Sequence, residues 1–156
     1  MRVCIGGTFD PLHRGHRRLI DKAFEIAGTE GLVFIGITTG NMLRCKGVVR
    51  GFEERKKEIE KYLHEREMRG HVVFGRLDDR YGPSVDGDFD AIVVSPETRS
   101  TAEEINRKRV ELGRKPLKIV EIPFVLAEDG IPISSSRIRN GVIDKNGRVL
   151  GRKKVG

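Results

Sequence analysis

Two histidines three residues apart, His13 and His16, close the segment G-G-T-F-D-P-L-H-R-G-H at residues 6–16. In a helical turn that spacing puts both imidazoles on one side, where they can donate hydrogen bonds to a polyphosphate. Gly6 and Gly7 have no Cβ, so their main chain can approach a phosphate closely. Thr8 adds a hydroxyl, Phe9 shapes the turn, Pro11 bends the chain, and Gly15 is expected to let helix and strand pack tightly. A helix opening here points free N–H groups and its positive dipole end at an anion. An isolated H-x-x-H is equally compatible with a metal pair or with a capping or core histidine. The Gly-Gly-Thr before it, directly after an apolar run, favours phosphate.

Near the other end, I-S-S-S-R-I-R at 133–139 offers the hydroxyls of Ser134, Ser135 and Ser136, a second helix start, and the cations Arg137 and Arg139. Serines begin helices in all kinds of protein, so this stretch gains meaning only beside the first. A basic loop, 41–51, supplies Arg44, Lys46 and Arg50 as competing phosphate ligands. Arg99 is placed on the same rim as the three apolar runs that end there. Asp10 reads as an acceptor bracing a loop rather than a metal ligand, and Asp78 and Asp79 as loop caps. No paired carboxylates suited to general acid–base work stand near these motifs.

The elements that must position these groups alternate. Strands are expected over 2–5, 32–38, 72–75, 91–95 and 117–122, and helices over 15–28, 52–69, 101–113 and 134–140. Leu19, Ile20, Ala23, Phe24 and Ala27 recur at helical spacing, and L-V-F-I-G-I-T at 32–38 is a continuous apolar run suited to a buried strand. Strands alternating with helices predict a Rossmann-like, doubly wound α/β fold: a five-stranded parallel sheet with helices on both faces. In such sheets the ligand lies beyond the carboxyl ends of the strands, which is where the segments after Ile5, Thr38 and Val94 fall.

The 156 residues suit a single domain, 1–156, with a short basic tail after about 140. A net charge of +7 draws in anions, and much of it lies in 44–50, 107–114 and 148–154, the middle run reading as a solvated helix face. The two cysteines lack metal spacing and form no disulfide framework; Cys4 reads as a core residue and Cys45 as a loop residue beside Lys46. The N-terminus lacks the apolar core of a signal peptide and no stretch approaches a membrane span. The expectation is a soluble, cytoplasmic protein that binds neither membrane nor nucleic acid, as a monomer or small homo-oligomer.

With both motifs in view, G-G-T-F-D-P-L-H-R-G-H resembles the (T/H)-x-x-H signature of the nucleotidyltransferase α/β superfamily, and I-S-S-S-R-I-R resembles its I-S-S-T-x-x-R signature, with Ser136 where the pattern has Thr. The chain is too short for a class I aminoacyl-tRNA synthetase and has no KMSKS loop. V-V-S-P-E-T-R-S-T-A-E-E-I-N-R-K-R at 93–109, the region from Lys46 to Arg55, and L-D-D-R-Y-G-P at 77–83 resemble the archaeal and eukaryotic type of phosphopantetheine adenylyltransferase. The resemblance spans roughly residues 2–139. Flavin adenylyltransferases and cytidylyltransferases share the T-F-D turn and remain alternatives; a non-catalytic nucleotide- or RNA-binding module is a more distant one, disfavoured because both motifs are intact.

The resemblance implies transfer of AMP from ATP to 4'-phosphopantetheine, giving dephospho-coenzyme A and diphosphate. It implies that His16 stabilises charge at the α-phosphate, that His13 contacts the polyphosphate, and that Thr8 orients the attacking phosphate. Lys46 would bridge the acceptor phosphate and the α-phosphate. Ser134, Ser135, Ser136 and Arg139 would hold the outer phosphates, with Gly6, Gly7 and Phe9 forming the nucleotide turn and Arg99 contacting the acceptor or nucleotide. Mg2+ is implied as the triphosphate's companion, carried by phosphate oxygens and water rather than by protein ligands.

Overall fold

The computed structural model describes residues 1–44 and 46–151. Cys45 and the last cations of the basic tail, Arg152, Lys153 and Lys154, lie outside the described residues. Five strands form one parallel sheet: β1 (Arg2–Gly7), β2 (Leu32–Thr38), β3 (His71–Leu77), β4 (Ala91–Val94) and β5 (Lys118–Glu121), in the order β3-β2-β1-β4-β5. The chain winds outward from β1 to β3, then returns to the other side of β1 at β4. The strand order therefore reverses between β1 and β4, the place where such sheets open a crevice for ligand.

Alternation along the strands assigns the faces. Val3, Ile5, Val33, Ile35, Ile37 and Val93 join one core with Ile20, Ala23 and Phe24 of helix α1 (Arg14–Ala27) and Ile59 and Leu63 of α2 (Phe52–Glu65). Cys4, Ile92 and Val94 point the other way, against Ala102 and Ile105 of α3 (Arg99–Glu111). Helices thus cover both faces, as the alternating pattern implies. A short α4 (Ser135–Arg139) follows the connector after β5.

The departures from expectation have local causes. Strand β1 continues through Gly6 and Gly7, which pair with Gly36 and Ile37 of β2. Helix α2 stops at Glu65 rather than 69, because Glu67 turns to a positive φ of 51° ahead of β3. Strand β3 runs the full length of β2 and ends at Leu77. The run 107–114 is not wholly solvated: Arg109 is buried and donates to the carbonyls of Lys115, Ser84 and Gly87. Nor is the segment after Asn140 a free tail as far as Gly151. Ile143 is fully buried with Ala127 and Ile133, and the main chain bonds Arg14 N to Lys145 O at 3.0 Å and Glu128 N to Gly147 O at 2.7 Å.

Candidate active site

The first turn is built by its own side chains. His13 is the N-cap of α1, with extended backbone, and its Nδ1 accepts from Gly15 N at 3.0 Å and His16 N at 3.3 Å. His16 Nδ1 in turn accepts from His13 N at 3.3 Å. A ring nitrogen that accepts carries no proton, so each neutral imidazole bears its proton on Nε2 and is free to donate outward. The rings stack at 3.7 Å, and Phe9 packs 5.0 Å from His16. Burial, aided by the charge of Arg17, pushes the His13 pKa down to about 4. Burial also holds His16 well below the usual imidazole range, with His13 and Lys46 adding to the effect. Both rings are neutral donors at neutral pH.

Gly15 serves a different purpose from helix–strand packing. A Cβ there would meet His13 Cε1 at 2.9 Å, so the glycine makes room for the capping ring. Phe9, fully buried, holds a left-handed φ of 52° that L side chains rarely adopt; its ring lies within 3.2 Å of a Cβ built on Gly7. A Cβ on Gly6 would press on Leu77 at 2.8 Å. Packing beneath the turn by itself favours glycine at both positions.

Thr8 Oγ1 accepts a 2.9 Å hydrogen bond from Thr38 Oγ1, which leaves its own proton to donate. Asp10 braces the basic loop: Oδ2 takes Arg50 N at 2.9 Å and Oδ1 takes Arg50 Nε at 2.6 Å. Arg50 also bonds Glu58, and Arg44 bonds Asn41. Of the three competing cations, Lys46 alone has no side-chain partner among the described contacts, and it is exposed at a cavity. That cavity, about 310 Å³, lies across the carboxyl ends of β1 to β4. Gly6, Gly7, Thr38 and Lys46 line it together with Arg80, Ser84, Thr98 and Thr101, and Met42, Leu77, Tyr81, Ile92, Ala102 and Ile105 add apolar surface.

At the other end of the chain, Ser134 caps α4 by accepting from Arg137 N at 3.2 Å. Ser135 and Ser136 open the helix with no bond from their hydroxyls among the described residues. Arg137 turns away from the cleft, to Asp129 and the carbonyls of Ile131 and Pro132. Arg139 reaches back across the fold and donates to Asp10 O at 3.0 Å, joining the serine segment to the first turn. The structure does not bring Arg99 to the cavity: its guanidinium pairs with Glu103 and Glu121 on the surface. Asp79 caps a turn at Tyr81 N and Gly82 N, and Asp78 accepts from Thr39 Oγ1.

Sequence reasoning gave no role to the residues of the cavity's apolar wall, although Leu77, Tyr81, Ala102 and Ile105 fall within the segments that carry the resemblance. It also missed Arg55, which looks like one more cation on a charged helix yet is only 1% exposed. A larger, open groove of about 860 Å³ along α1 contains neither Lys46 nor the two glycines of the turn, all of which line the 310 Å³ cavity; His13, His16 and Thr8 line neither. Among the described residues no three His, Cys, Asp or Glu side chains gather to hold a metal, and no helix is long and apolar enough to cross a membrane.

Residues 4–141 match the cytidylyltransferase-like family model. Phosphopantetheine adenylyltransferase of Methanosarcina acetivorans is 48% identical over 149 residues, covering 95% of both chains. The chain belongs to the phosphopantetheine adenylyltransferase family. Another family member, from Methanothermobacter thermautotrophicus, is 47% identical over 96% of this chain and 90% of its own. A solved structure from Archaeoglobus fulgidus, of unknown function, superposes with a TM-score of 0.69 at 38% identity, covering 78% of this chain and 89% of that one. A putative nicotinate-nucleotide adenylyltransferase from Vibrio parahaemolyticus, at 15% identity and a TM-score of 0.53, shares the fold. The chain is accordingly a nucleotidyltransferase.

Proposed function

We propose that the chain transfers AMP from ATP to 4'-phosphopantetheine, releasing diphosphate and forming 3'-dephospho-coenzyme A. The observation that carries this reading is a cavity of mixed apolar and polar lining that includes Gly7, Thr38 and Lys46, the last close enough to the neutral His16 to depress its pKa. An extended, largely apolar arm bearing one terminal phosphate fits such a site. Its phosphate would meet Lys46 and the Thr8 hydroxyl, while the triphosphate would lie over the start of α1 and toward α4.

An oxygen of the acceptor phosphate attacks the α-phosphorus of ATP, the bond to the bridging oxygen breaks, and diphosphate leaves with the electron pair. The nucleophile is already anionic near neutral pH, so positioning and charge stabilisation supply the catalysis. His16 Nε2–H donates to the α-phosphate and His13 Nε2–H to the polyphosphate. Ser135, Ser136 and the α4 N-terminus receive the outer phosphates. Arg139 holds this arrangement closed. Mg2+ would enter on the triphosphate, since Asp10, the carboxylate of the turn, is committed to Arg50; the cation's contribution is to offset charge on the phosphate oxygens.

Two experiments test the reading. His16→Ala is expected to abolish dephospho-coenzyme A formation while circular dichroism stays native; near-normal turnover would remove His16 from its role. Offering phosphopantetheine, flavin mononucleotide and other acceptors with ATP and with CTP, while measuring diphosphate, tests the acceptor. Strong release with another acceptor and none with phosphopantetheine overturns the assignment.

A further inference from the structure

Beneath Thr8 lies a buried polar arrangement to which neither motif points. Arg55, on the first turns of α2, is 1% exposed and has no carboxylate within ion-pair distance. Its Nη1 donates to Thr38 O at 2.8 Å and to Thr8 O at 3.2 Å, and its Nε donates to Arg50 O at 2.7 Å and Gly51 O at 3.3 Å. One guanidinium therefore ties together the end of β2, the turn after β1 and the base of the Lys46 loop. Thr38, 4% exposed, completes the loop of bonds by donating its hydroxyl to Thr8 Oγ1 at 2.9 Å.

A buried cation is costly to maintain, and here the cost is offset by bonds to carbonyls that a hydrophobic side chain would leave unpaired. What the arrangement achieves is geometric. With its main-chain carbonyl held by Arg55 and one hydroxyl lone pair occupied by Thr38, Thr8 is fixed in place and keeps its proton for a partner other than Thr38. We infer that Thr38 and Arg55 are positioning residues that aim the Thr8 hydroxyl at the acceptor phosphate and register the Lys46 loop to it. This rests on the proposed role of Thr8 toward the acceptor. Thr38 borders the cavity itself, so direct contact with substrate is the competing explanation that the test must separate.

The test compares Thr38→Val, Thr38→Ser, Arg55→Lys and Thr8→Val in steady-state assays varying ATP and phosphopantetheine separately, with melting temperatures for each. Thr38→Val removes the hydroxyl donor at near-constant volume; about a tenfold loss in kcat/KM for the acceptor is expected, with KM for ATP unchanged. Thr38→Ser restores the donor and is expected within about twofold of the wild type. Arg55→Lys keeps the charge but not the fork, and is expected to raise the acceptor KM. In a Thr8→Val background, Thr38→Val is expected to cost little more, because both act through one hydroxyl. Full additivity in that double variant would assign Thr38 a direct contact and overturn the inference, as would wild-type kinetics for Thr38→Val beside an impaired Thr8→Val. Wild-type turnover in Thr8→Val itself would instead strike the assignment of Thr8. If Arg55→Lys does not fold, the Thr38 series alone decides.

Discussion

The proposed chemistry of the first turn calls for two imidazoles that stay neutral. Each ring gives its Nδ1 to a main-chain N–H, and burial disfavours the charged form, so each keeps an Nε2–H to donate without adding cationic charge. Imidazole NMR signals of His13 are therefore expected to keep neutral-ring shifts down to about pH 5, and His16 to titrate well below the usual imidazole range; titration of either near 6.5 would contradict the burial argument. The linkage has a definite sign. An unfolded chain binds a proton at His13 near 6.5 and the folded chain only near 4. The stabilising contribution is present above about 6.5 and is lost as pH falls toward 4, by about 3 kcal/mol at most. Denaturant melts at pH 7 and pH 5 measure it. Lys46 is a different kind of residue, exposed and without a protein partner in the described contacts. Lys46→Met is expected to lower turnover by at least about tenfold with no change in melting temperature.

At the scale of elements, the helix starts determine the site. Gly15 gives way to the His13 ring, so Gly15→Ala is expected to displace the cap, destabilise α1 by about 1 kcal/mol and depress activity more than stability. Urea melts and turnover, measured together, check both parts. The strands and helices were legible from period alone, because β2 is an unbroken apolar run and α1 repeats its apolar residues every third or fourth position. Contacts between distant segments were not. Nothing in a charged helix marks Arg55 as buried, and nothing around Arg99 foretells that Glu121, on another strand, holds it at the surface. Local pattern reports what a segment prefers, whereas the destination of a long cation depends on what the fold sets opposite it.

For the whole molecule, the last described segment is structural. Ile143 is fully buried, and Gly147 sits at a φ of 85° where a Cβ would meet Ala127 Cα at 3.1 Å. Ile143→Ala is expected to cost about 3 kcal/mol and to lower the melting temperature by roughly 10 °C. Truncation after Asn140 also removes the bonds to Arg14 and Glu128, so it is expected to destabilise further and to yield aggregated protein on expression. Unchanged melting in either would show that the segment merely decorates the domain.

The bond from Arg139 to the carbonyl of Asp10 joins positions 129 residues apart. Its consequence concerns the order in which the chain is made. A nascent chain can form the β1 turn and its capped helix long before Arg139 is added, 129 residues after Asp10. The bond between them therefore closes only once all five strands have been synthesised. Under the proposed function, a fragment lacking the serine segment is expected to leave ATP unconsumed.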